Sequence, residues 1–421
     1  MSISETINRL KGLLYDIKLL LLPLYHRIII EHLRRKHKIN VVFVAMNLSM
    51  WRYQGICEKL SKNTKFNVVV LILPCVTYSP SQQERDRDAL VSYFKSRNIP
   101  YVIGRADSGT FLNIRQVLSP DIMFYPQPYE LIFNPEVDFK QFYDKLLCYI
   151  PYAFWTSTGD FSYNCPLHNK AWKLFYSTSM HQKDGVEIAR NKGRNIEVVG
   201  YPNADEYLFR HHIDTWRPQS RPKKRVIWAP HFSIYDGGPI KQSNFLWMAE
   251  LMLELAKKYS DRIQFAFKPH PVLYSELCKH KEWGIKRTDS YYKQWCTLEN
   301  CQLETEEFID LFMTSDAMIH DCGSFCVEYL YSRKPVMFVS CNFAQQLEGK
   351  SEFGVLALRQ HYIGQNPSDI IEFLENVVLA GNDSLFESRD KFCHDYLIPP
   401  NAQTVADNIY NIFTETFNCK D

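Results

Sequence analysis

Short runs of β-branched and aromatic residues alternate along this chain with longer stretches whose apolar positions recur every three to four residues. The runs at 39–45, 66–73, 101–103, 121–125, 146–152 and 196–199 are mostly apolar rather than alternating. That pattern predicts strands of a parallel sheet buried on both faces. Helices are expected between them at 51–60, from Ser81 onward, at 114–118 and at 181–190. The second half repeats the theme, with strands predicted at 225–229, 262–267, 317–319 and 336–339. Its helices are expected at 244–259, 308–314, 325–331, 369–380 and 404–417. Strand–helix alternation predicts a doubly wound α/β sheet in each half. Between the halves, 210–224 is rich in Arg, Lys, His and Pro and reads as a linker. The expected division is 1–37 as an N-terminal amphipathic helix, 38–215 and 222–400 as two α/β domains, and 401–421 as a C-terminal helix with room to cross back to the first domain. A length of 421 residues suits two domains, because single cores stop growing at roughly 250–300 residues.

The first stretch departs from the pattern. Residues 13–25 are Leu-rich but broken by Asp16, Lys18 and Pro23, and Arg27, Arg34, Arg35, Lys36, His37 and Lys38 follow. A membrane span needs roughly 20 mostly apolar residues, and this run is too interrupted for one. It also lacks the small-residue cleavage site of a signal peptide. An amphipathic helix fits, lying on an anionic membrane surface or packed on the protein itself or on a second copy of the chain. A formal net charge of +2 argues against a nucleic-acid partner. The 12 cysteines are scattered, with neither zinc-type spacing nor a secreted framework. Reduced thiols in a cytoplasmic protein, with no metal site, are the expectation.

Candidate chemistry lies in the second half. The run 317–319 leads into His320-Asp321-Cys322-Gly323-Ser324 and then a helix from Phe325. Gly323 permits close approach of the backbone, and Ser324 stands where a helix cap would. The amides from Gly323 to Phe325 would face an anion, most often a phosphate. Pro230-His231 follows the strand at 225–229, and Lys268-Pro269-His270-Pro271 follows the strand at 262–267. Each loop taken singly fits an ordinary strand-to-helix turn. Three on one sheet edge would gather imidazoles, an ammonium, a hydroxyl and free amides, which can hold a diphosphate without a metal. Glu328, one helical turn further on, could accept hydrogen bonds from ribose hydroxyls.

A family resemblance rests on these same motifs. Ala229-Pro230, Phe267-Lys268-Pro269-His270-Pro271, Asp310-Leu311, Asp316 through Ser324, Glu328-Tyr329-Leu330 and Lys334-Pro335-Val336 occur in that order, preceded by Gly200-Tyr201-Pro202 with Asp205. In order and spacing, across 196–339, they resemble the CDP-glycerol:poly(glycerophosphate) glycerophosphotransferases of teichoic-acid and capsule synthesis. The resemblance implies two Rossmann-like domains facing across a cleft, the GT-B arrangement, with the nucleotide on the second domain. It implies CDP-glycerol as donor substrate with no cofactor, a glycan or lipid-linked acceptor, and a peripheral position at the inner face of the cell membrane. Two departures stand out. Cys322-Gly323 occupies the place where Tyr-Ser is usual. The His-Gly motif that supplies the family's base in the first domain is absent, and the loop from Tyr149 to Asp160 stands in its place.

The expected activity is therefore metal-independent transfer of glycerol phosphate, or a similar alditol phosphate, to an acceptor hydroxyl with release of CMP. His270 is the expected catalytic group on the donor side, and Asp160 or His168 the acceptor base. His231, Lys268, His320, Asp321, Gly323, Ser324, Phe325 and Glu328 are the expected donor-binding set. Two alternatives share the fold: a nucleotide-sugar glycosyltransferase or epimerase, and a catalytically idle nucleotide- or polymer-binding partner of a capsule assembly.

Overall fold

The computed structural model describes residues 3–235, 243–305 and 308–419. The chain forms two compact units, Met1–Asp205 with Ile398–Asp421, and Glu206–Leu397. Each is built on one all-parallel sheet with helices.

In the first unit the strands are β1 (Ile39–Ala45), β2 (Phe66–Ile72), β3 (Tyr101–Ile103), β4 (Ile122–Tyr125), β5 (Leu146–Tyr149), β6 (Lys173–Tyr176) and β7 (Ile196–Val198), in the order β3-β2-β1-β4-β5-β6-β7. Every residue from Val41 to Ala45 is buried, because helices cover both faces of the sheet. The C-terminal helix Val405–Phe417 belongs to this unit. It brings Phe413 within 5.8 Å of Phe124 and within 5.6 Å of Trp172, ring centre to ring centre. Gly200 and Asp205 fix where that helix begins. Gly200 has φ +102°, and a Cβ there would lie 2.9 Å from Pro399 Cβ and from Val405 Cγ2. The Asp205 carboxylate accepts from the amides of Val405 (2.7 Å) and Ala406 (3.1 Å), the unpaired donors of the first helical turn. The Gly-Tyr-Pro…Asp motif therefore docks the last helix.

The N-terminal helix Ile3–Arg35 carries Pro23 inside it. Leu19, His26 and Leu33 are buried on one side. On the opposite side, Ile7, Leu10, Leu13, Leu14, Ile17, Leu20, Leu21, Leu24 and Ile28 are exposed. At 100° per residue these nine fall within one broad stripe, with Lys11 and Lys18 along one border and Arg27 along the other. Among the described residues no helix is long and apolar enough to cross a membrane.

The second unit has β8 (Lys224–Ala229), β9 (Ile263–Phe267), β10 (Cys301–Leu303), β11 (Ala317–His320), β12 (Val336–Val339) and β13 (Tyr362–Gly364), in the order β10-β9-β8-β11-β12-β13. Its core is aromatic. Trp228 stacks on Phe267 at 4.9 Å and on Phe245 at 5.7 Å, and Trp295 lies 5.1 Å from Phe267. The stretch 210–224 is fastened to this unit. Arg217 donates to the carbonyls of Leu298 and Cys296, its amide donates to Gln302, and its carbonyl accepts from Gln264. Arg210 and His212 both reach Asp310 of the sequence motif. Lys334 donates to the carbonyls of Met313 and Ser315, so the Lys-Pro motif ties strand entrances together.

Candidate functional site

The strand order of the second sheet reverses between β8 and β11. In open α/β sheets the crevice outside the carboxyl ends of the strands at such a point is where ligands bind. Pro230-His231 leaves β8 there, Asp321 leaves β11, and Lys268-Pro269-His270 leaves the neighbouring β9. The three loops are joined directly. The amide of His231 donates to Asp321 Oδ1 at 2.6 Å, and the amide of His270 donates to the Pro230 carbonyl at 3.0 Å. The His231 and His270 rings lie 5.1 Å apart, with Phe232 4.5 Å from His270.

Local hydrogen bonds set the protonation of both imidazoles. His270 Nδ1 accepts from the Val272 amide at 3.2 Å, and His231 Nδ1 accepts from the Ser233 amide at 3.3 Å with the Ser233 hydroxyl at 2.8 Å. Each neutral ring therefore carries its proton on Nε2 and can donate it to an anion. Burial holds both rings down to about 4, helped by Lys268 at His270 and by His270 at His231. Lys268 is buried with its ammonium 6.0 Å from the centre of the Phe308 ring.

The turn after β11 differs in part from expectation. Ser324 is exposed and already helical (φ −65°, ψ −35°), and its hydroxyl caps nothing. The α-helix that follows, Phe325–Glu328, is a single turn running into a 3-10 turn, so its dipole is small. Among the described residues, the amides of Gly323, Ser324 and Phe325 donate to no protein acceptor. Phe325 is half-buried against Phe308 and Phe312.

Four expected positions need correction. Asp321 is not displayed to a ligand. It is buried, and its second oxygen accepts from the Asn244 amide at 2.5 Å, so it clamps the loops while burial pushes its carboxyl up to about 6. His320 is 1 % exposed, packed edge-on to Phe338, with Nδ1 bonded to the Cys322 carbonyl. Glu328 is 5 % exposed and already partnered, so it does not stand on an open rim. His168 is 0 % exposed, with Nδ1 accepting from the Cys165 amide, and burial takes it down to about 3. A base in that setting cannot meet an acceptor hydroxyl. Asp160 opens the short helix Asp160–Tyr163, and its side chain lies outside the described residues.

Sequence reasoning missed one polar cavity in the first unit. About 430 Å³ opens at the carboxyl ends of β1, β2 and β3, lined by Gln83, Glu84, Arg87, Arg105 and Asp107 among others. Arg105 donates to Gln83 at 3.1 Å across it. No motif announces this cavity, because its lining comes from a loop and a helix whose charges read as ordinary solvated surface.

Buried neutral histidines make the fold acid-sensitive. His26, His181, His231 and His270 are held at about 4 and His168 at about 3, chiefly by desolvation, against 6.5 in the unfolded chain. Below pH 6.5 the unfolded chain binds protons that the native state refuses. The stability these groups contribute is thus complete above about pH 6.5 and lost as pH falls toward 4, by on the order of 1–2 kcal/mol each at pH 5 for the well-buried His26, His168 and His181, and by less for the part-exposed His231 and His270, which solvent screens. Asp321 opposes this in part. The thermal midpoint should drop by roughly 10 °C or more between pH 7.5 and pH 5; a flat or rising midpoint would contradict the assignment.

The fold is of the GT-B-like α/β class, two parallel-stranded sheets with helices and an N-terminal helix. Residues 156–346 match the family model described as CDP-Glycerol:Poly(glycerophosphate) glycerophosphotransferase, so the resemblance read from the motifs holds over that stretch. Among solved structures, the chain is similar to the wall teichoic acid polymerase TagF in a variant soaked with CDPG, with 13 % identity, a TM-score of 0.55, and 98 % of this chain and 98 % of that chain covered. It is similar to S. aureus MnaA in a co-structure with UDP (13 % identity, TM-score 0.56, 91 % of this chain and 97 % of that one). It is also similar to a putative UDP-N-acetylglucosamine 2-epimerase from Listeria monocytogenes (15 % identity, TM-score 0.58, 92 % and 98 % covered). At such identities the likeness is one of fold. No curated protein matches the chain.

Proposed function

We propose that this protein transfers glycerol phosphate, or a similar alditol phosphate, from a CDP-activated donor to a hydroxyl of a glycan or lipid-linked acceptor in cell-surface polymer synthesis, releasing CMP. The observation that carries the reading is the junction of the His231, His270 and Asp321 loops at the switch point of β8 and β11, inside the stretch that matches the family. The acceptor oxygen attacks the phosphorus bearing the alditol. A new P–O bond forms, the bond to the bridging oxygen breaks, and CMP departs with its electron pair. His270 Nε2–H donates to the oxygen on which charge grows, with His231 Nε2–H and the amides at Gly323 to Phe325 sharing the diphosphate and the buried Lys268 ammonium acting through its charge. Ser324 offers its hydroxyl to the same anion. Asp160, at the carboxyl side of β5, is the proposed base for the acceptor proton, and the cavity lined by Arg87 and Arg105 is the proposed seat of a polar acceptor. Because neutral imidazole N–H groups, free amides and the Lys268 charge together meet the diphosphate oxygens, turnover should proceed without added Mg2+.

A donor panel tests this reading. CMP release from CDP-glycerol should exceed nucleotide release from UDP-sugars by at least about 100-fold, or about 3 kcal/mol of discrimination. Preferential UDP release or epimerised sugar would make the protein a nucleotide-sugar enzyme. Thermal stabilisation by CDP-glycerol without product would make it an idle binding partner.

The exposed leucine stripe of Ile3–Arg35, bordered by Lys11, Lys18 and Arg27, supports peripheral attachment to the anionic inner face of the membrane. Lys11 and Lys18 flank one border of the stripe, while at the other Asp16, beside Arg27, is engaged by Arg190. Vesicles rich in phosphatidylglycerol should sediment the wild-type protein in low salt, and Leu14→Glu with Leu21→Glu should release it by at least about 10-fold. Equal sedimentation of the double variant would rule the attachment out.

A further inference from the structure

Twelve scattered cysteines gave no metal-type spacing, yet folding gathers three ligand-bearing side chains behind the turn that follows β11. His320 ends that strand, Cys326 lies in the helical turn Phe325–Glu328, and His361 stands just before β13. One donor atom from each lies within 4.8 Å of the other two, and all three residues are at most 4 % exposed. Parallel register explains the meeting. His320 pairs with Phe338 of β12, and Phe338 pairs with Ile363 of β13, two residues beyond His361. The rings of His320 and His361 stand 5.3 Å apart, both edge-on to Phe338.

The hydrogen bonds give both rings the tautomer that a metal requires. His320 Nδ1–H donates to the Cys322 carbonyl at 3.1 Å, and His361 Nδ1–H donates to the Ala357 carbonyl at 3.0 Å. Nε2 of each ring is then an unprotonated lone pair, and both Nε2 atoms are buried without a hydrogen-bond partner. Two such orphans in one place are costly, about 1–3 kcal/mol each, and unusual in a native interior. The Cys326 thiol is the one proton source in the cluster, and it donates to the Cys322 carbonyl with sulfur and oxygen 3.5 Å apart. Redirected, that single proton could satisfy one imidazole and not both. A cation satisfies all three groups together, and the Nδ1–carbonyl bonds are the second-shell contacts that orient metal-ligating histidines.

We propose that His320, Cys326 and His361 form a buried three-coordinate site for a thiophilic d10 cation, Cu(I) before Zn(II). Two imidazoles and a thiolate are the soft-to-borderline donor set that these ions prefer, and a filled d shell imposes no geometry that three ligands would violate. Metal–nitrogen and metal–sulfur bonds of about 2.1 and 2.3 Å would draw the three donor atoms inward by roughly 1 Å. Charge separates the two ions. Lys350 and Arg389 face the cluster with positive sign and Asp321 with negative sign. Cu(I) with one thiolate is neutral, whereas Zn(II) leaves a net positive charge in an apolar interior. Binding ejects the Cys326 proton to solvent and forms one metal–sulfur and two metal–nitrogen bonds. It would pin both ends of the turn carrying Gly323 and Ser324 to the start of β13, so the site is structural and stands apart from the transfer chemistry proposed above.

The test uses the full chain with its exposed thiols removed, Cys296→Ser with Cys341→Ser. Anaerobic Cu(I), and separately Zn(II), are titrated in competition with a chromophoric chelator, and the loaded protein is examined by X-ray absorption. One equivalent should bind, with two nitrogens and one sulfur in the first shell and a raised thermal midpoint. Cys326→Ser and His361→Gln should each weaken binding by at least about 100-fold. Failure of the parent protein to retain either ion at one equivalent overturns the proposal. So does a first shell without sulfur, which decides the matter even where the variants fold poorly, and so does unchanged affinity in folded variants.

Discussion

Replacing His270 by alanine is expected to lower turnover of CDP-glycerol by about 1,000-fold, the scale on which a single preorganised donor to developing charge acts. The thermal midpoint should move little. The ring is half-buried, its Nδ1 serves only the nearby Val272 amide, and that amide can turn to water when the acceptor is gone. Its neighbours Phe232 and His231, 4.5 and 5.1 Å away, retain their own contacts. His270→Gln restores an N–H donor at nearly the same reach and should recover part of the loss, which truncation damage would not. Near-normal turnover in the alanine variant would remove His270 from the reaction. Steady-state CMP release, with circular dichroism of the same samples, is the measurement.

Asp321→Ala should be costly in a different way. The carboxylate accepts from the amides of His231 and Asn244 at 2.6 and 2.5 Å, in a place sealed from water. Truncation strands two buried donors at about 1–3 kcal/mol each and frees the loop that carries His231. A loss of about 3–5 kcal/mol in chemical denaturation is expected, with turnover reduced by about 100-fold in whatever remains folded. Asp321→Asn can accept one of the two bonds and should fall between. Wild-type stability in the alanine variant would mean that the clamp does not hold the loops.

How far the chain could be read in advance follows from where its signals are local. The strands β1, β2, β4, β8, β9, β11 and β12 are mostly apolar runs with at most two polar residues each, and each was visible for that reason. β10 and β13 are no shorter than the expected β3 and β7 but carry at most one β-branched residue, and β6 begins on a lysine inside an aromatic loop, so no strand signal develops. The helix Gly284–Thr297 escaped because its buried face is Thr288, Tyr291, Tyr292 and Trp295, set among charged residues. At the site, position at strand ends was legible and orientation was not. The motif Asp321 to Ser324 was found, but burial assigns Asp321 and His320 to the interior and Ser324 to the surface. His168 looked available because a loop sequence does not say which side faces in. The meeting of His320, Cys326 and His361 depends on the pairing of three strands, and spacing along the chain carries no trace of it.

The central claim is that the carboxyl ends of β8, β9 and β11 receive a diphosphate. Crystals soaked with CDP-glycerol test it most directly. The account predicts both phosphates at that edge of the second sheet, with His270 Nε2 and at least one amide of Gly323 to Phe325 within hydrogen-bond distance. Nucleotide density elsewhere, or an edge that stays closed to a donor which the protein turns over, would contradict it.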